Sequence, residues 1–326
     1  MSLTCAIIGG SGYTGGELLR LLLAHPKFVV AQITSESNAG KRVTELHPNL
    51  RSFTDLKFIS IENLEKTDII LAALPHETSR DLYGKLRPLA NQVYVDLSND
   101  FRLDDSFVYA MPEVYREKLK TASQMAGCGC NATATILALY PFYKENLIDQ
   151  TRTVVEAKIS SSAAGNKPTS GSHHPERSGV VRSYKPTGHR HIKEMRRVLN
   201  TDNVHFSATS IEMVRGILAT AHVFTKEKLT DKDIWKLYRS YYGEEPFIRM
   251  VKERAGDYRY PEPKLLRGTN FCDIGFEVDD ASNRIVIMSA IDNLVKGSAG
   301  HVVQALNIRF GFDERLGLEF AGLHPC

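Results

Sequence analysis

The chain lacks any apolar run long enough to cross a membrane. Its Leu-rich stretch Leu18–Leu23 is interrupted by Arg20 and stopped by His25-Pro26, well short of the roughly 20 apolar residues that a span requires. The apolar stretch Leu3–Ile8 follows no charged segment of the kind that opens a secretory leader. A disulfide framework is missing as well. The five cysteines, Cys5, Cys128, Cys130, Cys272 and Cys326, are odd in number and scattered, which argues against a stapled secreted fold and for a reducing, cytoplasmic compartment. There is little net charge: 41 basic against 38 acidic residues leave +3, so the strong field of a nucleic-acid coat is absent. Neither an internal repeat nor a low-complexity tract is present.

What remains is a folded chain of 326 residues, 42% hydrophobic, enough for cores in two domains. In the first third, short apolar runs alternate with helix-like segments: Cys5–Ile8, Leu18–Ala24, Phe28–Ile33, Asp68–Leu74 and Val93–Leu97. That rhythm predicts an α/β, Rossmann-type doubly wound parallel sheet. Ile69 to Leu74 reads as a continuous apolar run, as a strand covered on both faces should. After Cys130 come β-rich stretches at Thr153–Ile159, Val204–Ile211, Ile217–Phe224, Phe271–Val278 and Arg284–Ala290. They predict a second, α+β domain with a mixed, largely antiparallel sheet. The expected division is 1–129 with 300–326 for dinucleotide binding, and 130–299 for catalysis and oligomerisation. Gly165–Gly188, poor in apolar residues, reads as a long loop, of the type that in compact domains is usually functional or disordered.

Four elements carry chemistry. The first is Gly9-Gly10-Ser11-Gly12-Tyr13-Thr14-Gly15-Gly16, a G-x-G-x-x-G pattern between a strand and a helix. Such glycines let backbone approach a pyrophosphate, which then rests on the unpaired N–H groups of the helix start. Gly10, Ser11, Gly12, Tyr13, Thr14 and Gly15 are the expected cofactor contacts. At the end of the second strand, Glu36 would bind a ribose 2′-hydroxyl and favour NAD, whereas Thr34, Ser35, Ser37 and Lys41 would accept a 2′-phosphate. The second element is Cys128-Gly129-Cys130-Asn131, which leads into an apolar helix expected to end near Pro141. A cysteine at a helix N-terminus has its thiolate favoured by the dipole, as a nucleophile requires, so Cys130 is the candidate nucleophile and Cys128 a structural or auxiliary thiol. The C-x-C spacing, with no second cysteine pair, argues against zinc even with His173 and His174 included, and no metal is expected. The third is Gly188-His189-Arg190-His191, at the start of a predicted helix, where an imidazole suits proton transfer. In Asp96-Leu97-Ser98-Asn99-Asp100-Phe101-Arg102 a strand ends in a polar turn whose arginine can hold a phosphate.

In this order the elements resemble the N-acetyl-γ-glutamyl-phosphate reductase family, relatives of aspartate-semialdehyde dehydrogenase. The resemblance covers Gly9–Gly16, Asp96–Leu103, Gly129–Ala134, Glu156–Lys167, Gly188–Met195, Arg215–Thr220 and Ser289–Gln304. It implies that Cys130 is the nucleophile and that one of His189 and His191 is the acid/base, with His191 the first choice. It also implies that Arg102 contacts the substrate phosphate, that Asn293 lies near the nicotinamide, and that Gly165 belongs to the loop facing nicotinamide and substrate. Asn131-Ala132-Thr133-Ala134, Ser172-His173-His174-Pro175-Glu176-Arg177 and Tyr184 to His191 resemble the carrier-protein branch. Those enzymes reduce LysW-bound 2-aminoadipate 6-phosphate for lysine and, in some organisms, LysW-bound glutamyl phosphate for arginine. The resemblance thus implies an NADP-dependent reductase, with NAD left open by Glu36, acting through a cysteine thioester; free N-acetyl-γ-glutamyl phosphate is the alternative substrate. A non-catalytic dinucleotide-binding protein is the more distant alternative. It further implies a homodimer or homotetramer and a small acidic carrier as partner. Lys167, His173, His174, Arg177, Arg182, Lys185, Arg190, Lys193, Arg196 and Arg197 supply complementary charge for such a carrier.

Overall fold

The computed structural model describes residues 2–86, 88, 91–149 and 153–325; Cys326 lies outside them. The chain divides into two compact units, Met1–Cys128 with Ser298–Glu319, and Gly129–Gly297 with Phe320–Cys326. In the first, six strands form one sheet: β1 (Leu3–Ile8), β2 (Phe28–Ile33), β3 (Ile69–Ala72), β4 (Val93–Asp96), β5 (Val108–Tyr109) and β6 (Gln124–Ala126). Their order is β2-β1-β3-β4-β6-β5, and every neighbouring pair is parallel. β3 and β4 are buried along their whole length, which explains the unbroken apolar spelling of Ile69–Ala72. Helices α1 (Tyr13–Leu23), α2 (Val43–Leu46), α3 (Ser79–Leu86) and α4 (Pro112–Leu119) connect the strands. Strand order reverses beside β1, so the Gly9–Gly16 turn sits at the switch point, where open α/β sheets bind ligands. An aromatic cluster of Tyr94, Phe101 and Phe107 packs on Ile8 and Ile70 and anchors the turn that carries Arg102. β5 and β6 escape the sequence reading because two and three residues are too few to show a period.

The second unit begins with α5 (Cys130–Lys144) and continues with β7 (Thr153–Ile159), α6 (His174–Arg177), β8 (Val181–Lys185), α7 (Ile192–Leu199), β9 (Val204–Ile211), β10 (Ile217–Phe224), α8 (Asp231–Tyr242), β11 (Ile248–Met250), β12 (Cys272–Val278) and β13 (Arg284–Ile291). The chain then returns to the first unit for α9 (Gly300–Arg309). The seven strands run in the order β11-β12-β13-β10-β7-β9-β8; only β11/β12 and β7/β9 are parallel, so the sheet is mixed and largely antiparallel. Burial alternates residue by residue along β7 and β10 and through Arg284–Ser289 of β13, whose last residues are all buried. One face lies under α5, while the other, with Val154, Lys158, Thr220, His222 and Met288, is only partly covered.

Two expectations change. Gly165–Gly188 is not one irregular loop: it holds α6 and the edge strand β8, whose five residues are all exposed. An edge strand with neither face in a core has no apolar alternation to read. Nor does the helix after Cys130 stop at Pro141. Proline removes the N–H that would bond the Leu137 carbonyl, but the Tyr242 hydroxyl of α8 donates to that carbonyl at 2.8 Å. Tyr238 donates to Ala138 O at 2.7 Å, and α5 runs on to Lys144.

Candidate active site

Cys130 is the first residue of α5 and is partly exposed, so its thiol stands where the helix N–H groups are unpaired and the dipole is positive. The preceding Gly129 N–H donates to Glu194 Oε2 at 2.9 Å. Glu194 belongs to the first turn of α7, so one carboxylate ties the start of the nucleophile helix to the helix that follows the histidines. Its other oxygen lies 4.0 Å from His191 Nε2, with both side chains buried. A carboxylate so placed orients an imidazole and stabilises its protonated form during proton transfer.

His189 and His191 are brought together with their rings 4.7 Å apart and nearly perpendicular. His189 Nδ1 accepts the His191 N–H at 3.1 Å, and its Nε2 faces the Asn131 amide at 3.4 Å. Burial, followed by the charges of Arg190 and Lys185, pushes His189 down to about 4. The Tyr184 ring stands 6.5 Å from that of His189. Cys130, Asn131, Tyr184, His189, His191 and Glu194 thus form one constellation within the second unit.

Asn293 lies beyond β13. Its Oδ1 accepts from Ser160 Oγ at 3.1 Å, Ser162 Oγ at 3.3 Å and Gly216 N–H at 2.8 Å. It therefore fixes the turn that leads to Gly165, whose φ of 81° and ψ of −174° are open essentially to glycine alone.

In the first unit the dinucleotide turn has the required shape. A Cβ on Gly15 would lie 2.7 Å from Gly9 O, whereas one on Gly12 would meet nothing closer than 3.9 Å. Gly15 is needed for packing and Gly12 leaves open space before α1, where a pyrophosphate fits. Ser11 Oγ accepts from Ser35 Oγ at 3.0 Å, which ties the turn to the end of β2; Tyr13 and Thr14 open α1. Glu36 Oε1 accepts the Ile61 N–H at 2.7 Å, and Lys41 Nζ donates to Asn38 Oδ1 at 3.2 Å.

Arg102 is buried, with Nε on Gly127 O at 2.8 Å and Nη2 on Leu97 O at 3.3 Å, so it ties together the backbone just past the ends of the neighbouring strands β4 and β6. Cys128 is buried and donates to Ala110 O at 3.3 Å, a structural thiol. Among the ten basic residues, Arg177 turns inward to the carbonyls of Ile159 and Ile211, at 3.2 and 2.7 Å, and must be removed from the docking set. The other nine are exposed. Among the described residues no group of three or more His, Cys, Asp or Glu is placed to hold a metal ion, and no helix is long and apolar enough to cross a membrane. Sequence reasoning missed Glu194, Ser160 and Ser162. The i, i+3 spacing of His191 and Glu194 on a helix was the available signal for the first.

Two family models match the chain: "Semialdehyde dehydrogenase, NAD binding domain" over residues 4–122 and "Semialdehyde dehydrogenase, dimerisation domain" over 130–293. A Thermomicrobium roseum protein named for LysW-L-2-aminoadipate 6-phosphate reduction is 52% identical over 100% of both chains. The LysW-L-2-aminoadipate 6-phosphate reductase of Deinococcus radiodurans is 48% identical over 99% of this chain and 98% of its own. The solved structure of aspartate semialdehyde dehydrogenase II from Vibrio cholerae has the same fold, with a TM-score of 0.77 at 16% identity over 95% of this chain and 99% of its own.

Proposed function

The chain belongs to the semialdehyde dehydrogenase family, and on that premise we propose that it reduces a carrier-bound acyl phosphate, LysW-L-2-aminoadipate 6-phosphate, to the semialdehyde, with NADPH as hydride donor. The observation that carries the reading is Glu194, which joins the N-cap of the Cys130 helix to His191. Cys130 as thiolate attacks the acyl carbon; the carbon–oxygen bond to phosphate breaks, and the acyl group remains as a thioester. What a bound reduced nicotinamide supplies is hydride to the thioester carbon. His191, oriented by Glu194, protonates the resulting oxyanion and takes that proton back as the thiohemiacetal releases the aldehyde and the Cys130 thiolate. Holding the acyl group covalently makes hydride transfer an encounter of positioned groups.

We assign dinucleotide binding to 1–129 with 300–326, and catalysis with self-association as a homodimer or homotetramer to 130–299. The cofactor contacts are Gly10, Ser11, Gly12, Tyr13, Thr14, Gly15 and Ser35 from the first region, with Gly165 and Asn293 from the second. NADP is favoured over NAD because the Glu36 carboxylate is engaged by the Ile61 N–H, while Ser35, Ser37 and Lys41 present donors beside it. The phosphate contact of Arg102 rests on the family resemblance. A small acidic carrier fits the exposed cations of β8, α7 and the loop between them, which include Lys185, Arg190 and Lys193, and a reducing cytosol keeps Cys130 a thiol.

The test is oxidation of NADPH, and in parallel NADH, with carrier-bound aminoadipyl phosphate, carrier-bound glutamyl phosphate and free N-acetyl-γ-glutamyl phosphate as separate substrates. Turnover of the carrier-bound acyl phosphates, abolished by Cys130→Ala, is expected. Turnover of the free acetylated substrate alone would sink the carrier assignment. The two carrier-bound substrates differ by one methylene, worth about 1–3 kcal/mol in a pocket, so the glutamyl form is expected to react at 10- to 200-fold lower kcat/KM.

A further inference from the structure

We infer that Asn131 is a positioning residue that holds His189 as a neutral imidazole with its proton on Nε2, which leaves proton transfer at Cys130 to His191; this rests on the reductase reading of the same site. The argument starts from the backbone. His189 Nδ1 accepts the His191 N–H at 3.1 Å, and a neutral imidazole carries only one N–H, so the proton resides on Nε2. That nitrogen faces the Asn131 amide at 3.4 Å, and Asn131 is itself almost wholly buried. Among the described residues Asn131 Oδ1 has no hydrogen-bond partner, while Nδ2 and Nε2–H are two donors side by side. A half-turn of the amide resolves both defects: Oδ1 then accepts from Nε2–H.

Protonating His189 would require a second N–H on Nδ1, pointed at the His191 N–H. That breaks the 3.1 Å bond and sets two donors head to head in a buried place, a cost that the geometry alone imposes. The surrounding groups act in the same direction. From β8 come the Tyr184 ring and the charge of Lys185, from the intervening loop Arg190, from β9 the apolar ring of Phe206 at 5.3 Å, and from α5 the neutral Asn131. The carboxylate of α7, Glu194, is directed at His191 and at the Gly129 N–H. The lowering of His189 to about 4 agrees with this arrangement. Of two adjacent imidazoles, one is therefore a fixed donor, and proton transfer falls to the other, which the Glu194 carboxylate faces.

The experiment is a pH titration of the full chain carrying 13Cε1-labelled histidine, with His189→Asn used to assign the resonance. The wild-type His189 signal is expected to stay flat from pH 5.5 to 8. In Asn131→Asp a carboxylate replaces the amide beside Nε2, and the midpoint is expected to rise by about 1–3 pH units, with a second ionisation entering the pH profile of kcat/KM. A wild-type His189 that titrates near 6.5, or an Asn131→Asp midpoint that does not move, overturns the inference. The wild-type measurement stands even where the variant fails to fold. Absence of acyl-phosphate reduction would refute the proposed activity and leave the titration to be read on its own.

Discussion

Tyr242→Phe removes one oxygen, and α5 shows what that oxygen does. Pro141 deprives Leu137 O of its helical donor, and the Tyr242 hydroxyl supplies the replacement at 2.8 Å. In the variant that carbonyl stays buried without a partner, which costs about 1–3 kcal/mol. Pro141→Ala restores the backbone N–H, so in that background Leu137 O no longer depends on Tyr242 and the same Tyr242→Phe change should cost well under 1 kcal/mol. The difference between the two costs is a coupling energy of about 1–2 kcal/mol, larger than the roughly 0.5 kcal/mol within which independent sites add. Trp235, the one tryptophan of the chain, lies on α8 with its ring 5.8 Å from Phe276. Its fluorescence therefore reports unfolding of the unit under test, and urea transitions of the four proteins complete the cycle. Equal costs of Tyr242→Phe in both backgrounds would refute the account of how a proline is accommodated within the nucleophile helix.

Gly12→Ala should leave urea stability unchanged and weaken NADPH binding about tenfold, because its Cβ fills only the space before α1. Gly15→Ala should destabilise the first unit by about 1–3 kcal/mol through overpacking against Gly9 O; identical effects of the two changes would contradict the division of labour in the turn. His191→Asn should lower kcat by about 10²–10⁴-fold with NADPH affinity retained, measured by stopped-flow and by fluorescence titration; a smaller fall than that of His189→Asn would reverse the assignment of the two imidazoles. Because His189 is pushed down from 6.5 to about 4, the unfolded chain takes up the proton first as pH falls. The resulting stability, on the order of 3 kcal/mol, is complete above about pH 6.5 and declines as pH falls towards 4. Urea midpoints at pH 7.5 and 5 should converge in His189→Gln relative to wild type, and an unchanged pH dependence in the variant would count against the shift.

The parallel sheet was legible because strands such as Ile69–Ala72 are buried on both sides, and the second sheet because β7 and β10 alternate. Cys130 and the His189/His191 pair were legible as residue types at a helix start. Glu194 was less visible, since one acidic residue in an early helical turn reads as an ordinary surface charge until its burial and its bond to Gly129 N–H are known. Asn293 could be marked only by resemblance; that its amide gathers Ser160, Ser162 and Gly216 is a contact over more than 70 residues of chain, which no local pattern contains. Pro141 misled for a physical reason: its rule concerns an isolated helix, and the remedy comes from another helix. Arg177 misled in the opposite direction, as a surface charge that in fact serves two backbone carbonyls.

The seven-stranded sheet has two ends and one partly covered face, and these differ in what they permit when copies of the chain meet. β8 ends the sheet with Arg182 and Lys185 and is followed by Pro186, while at the other end β11 is three residues long with Arg249 at its centre. Charge, proline and brevity each hinder strand-to-strand growth. The face with Val154, Lys158, Thr220, His222 and Met288 presents side chains and not the open rungs of a ladder. A face, unlike an edge, is used up once it is covered, so association through it would stop at a closed pair and leave no exposed rung on which a fibre could lengthen.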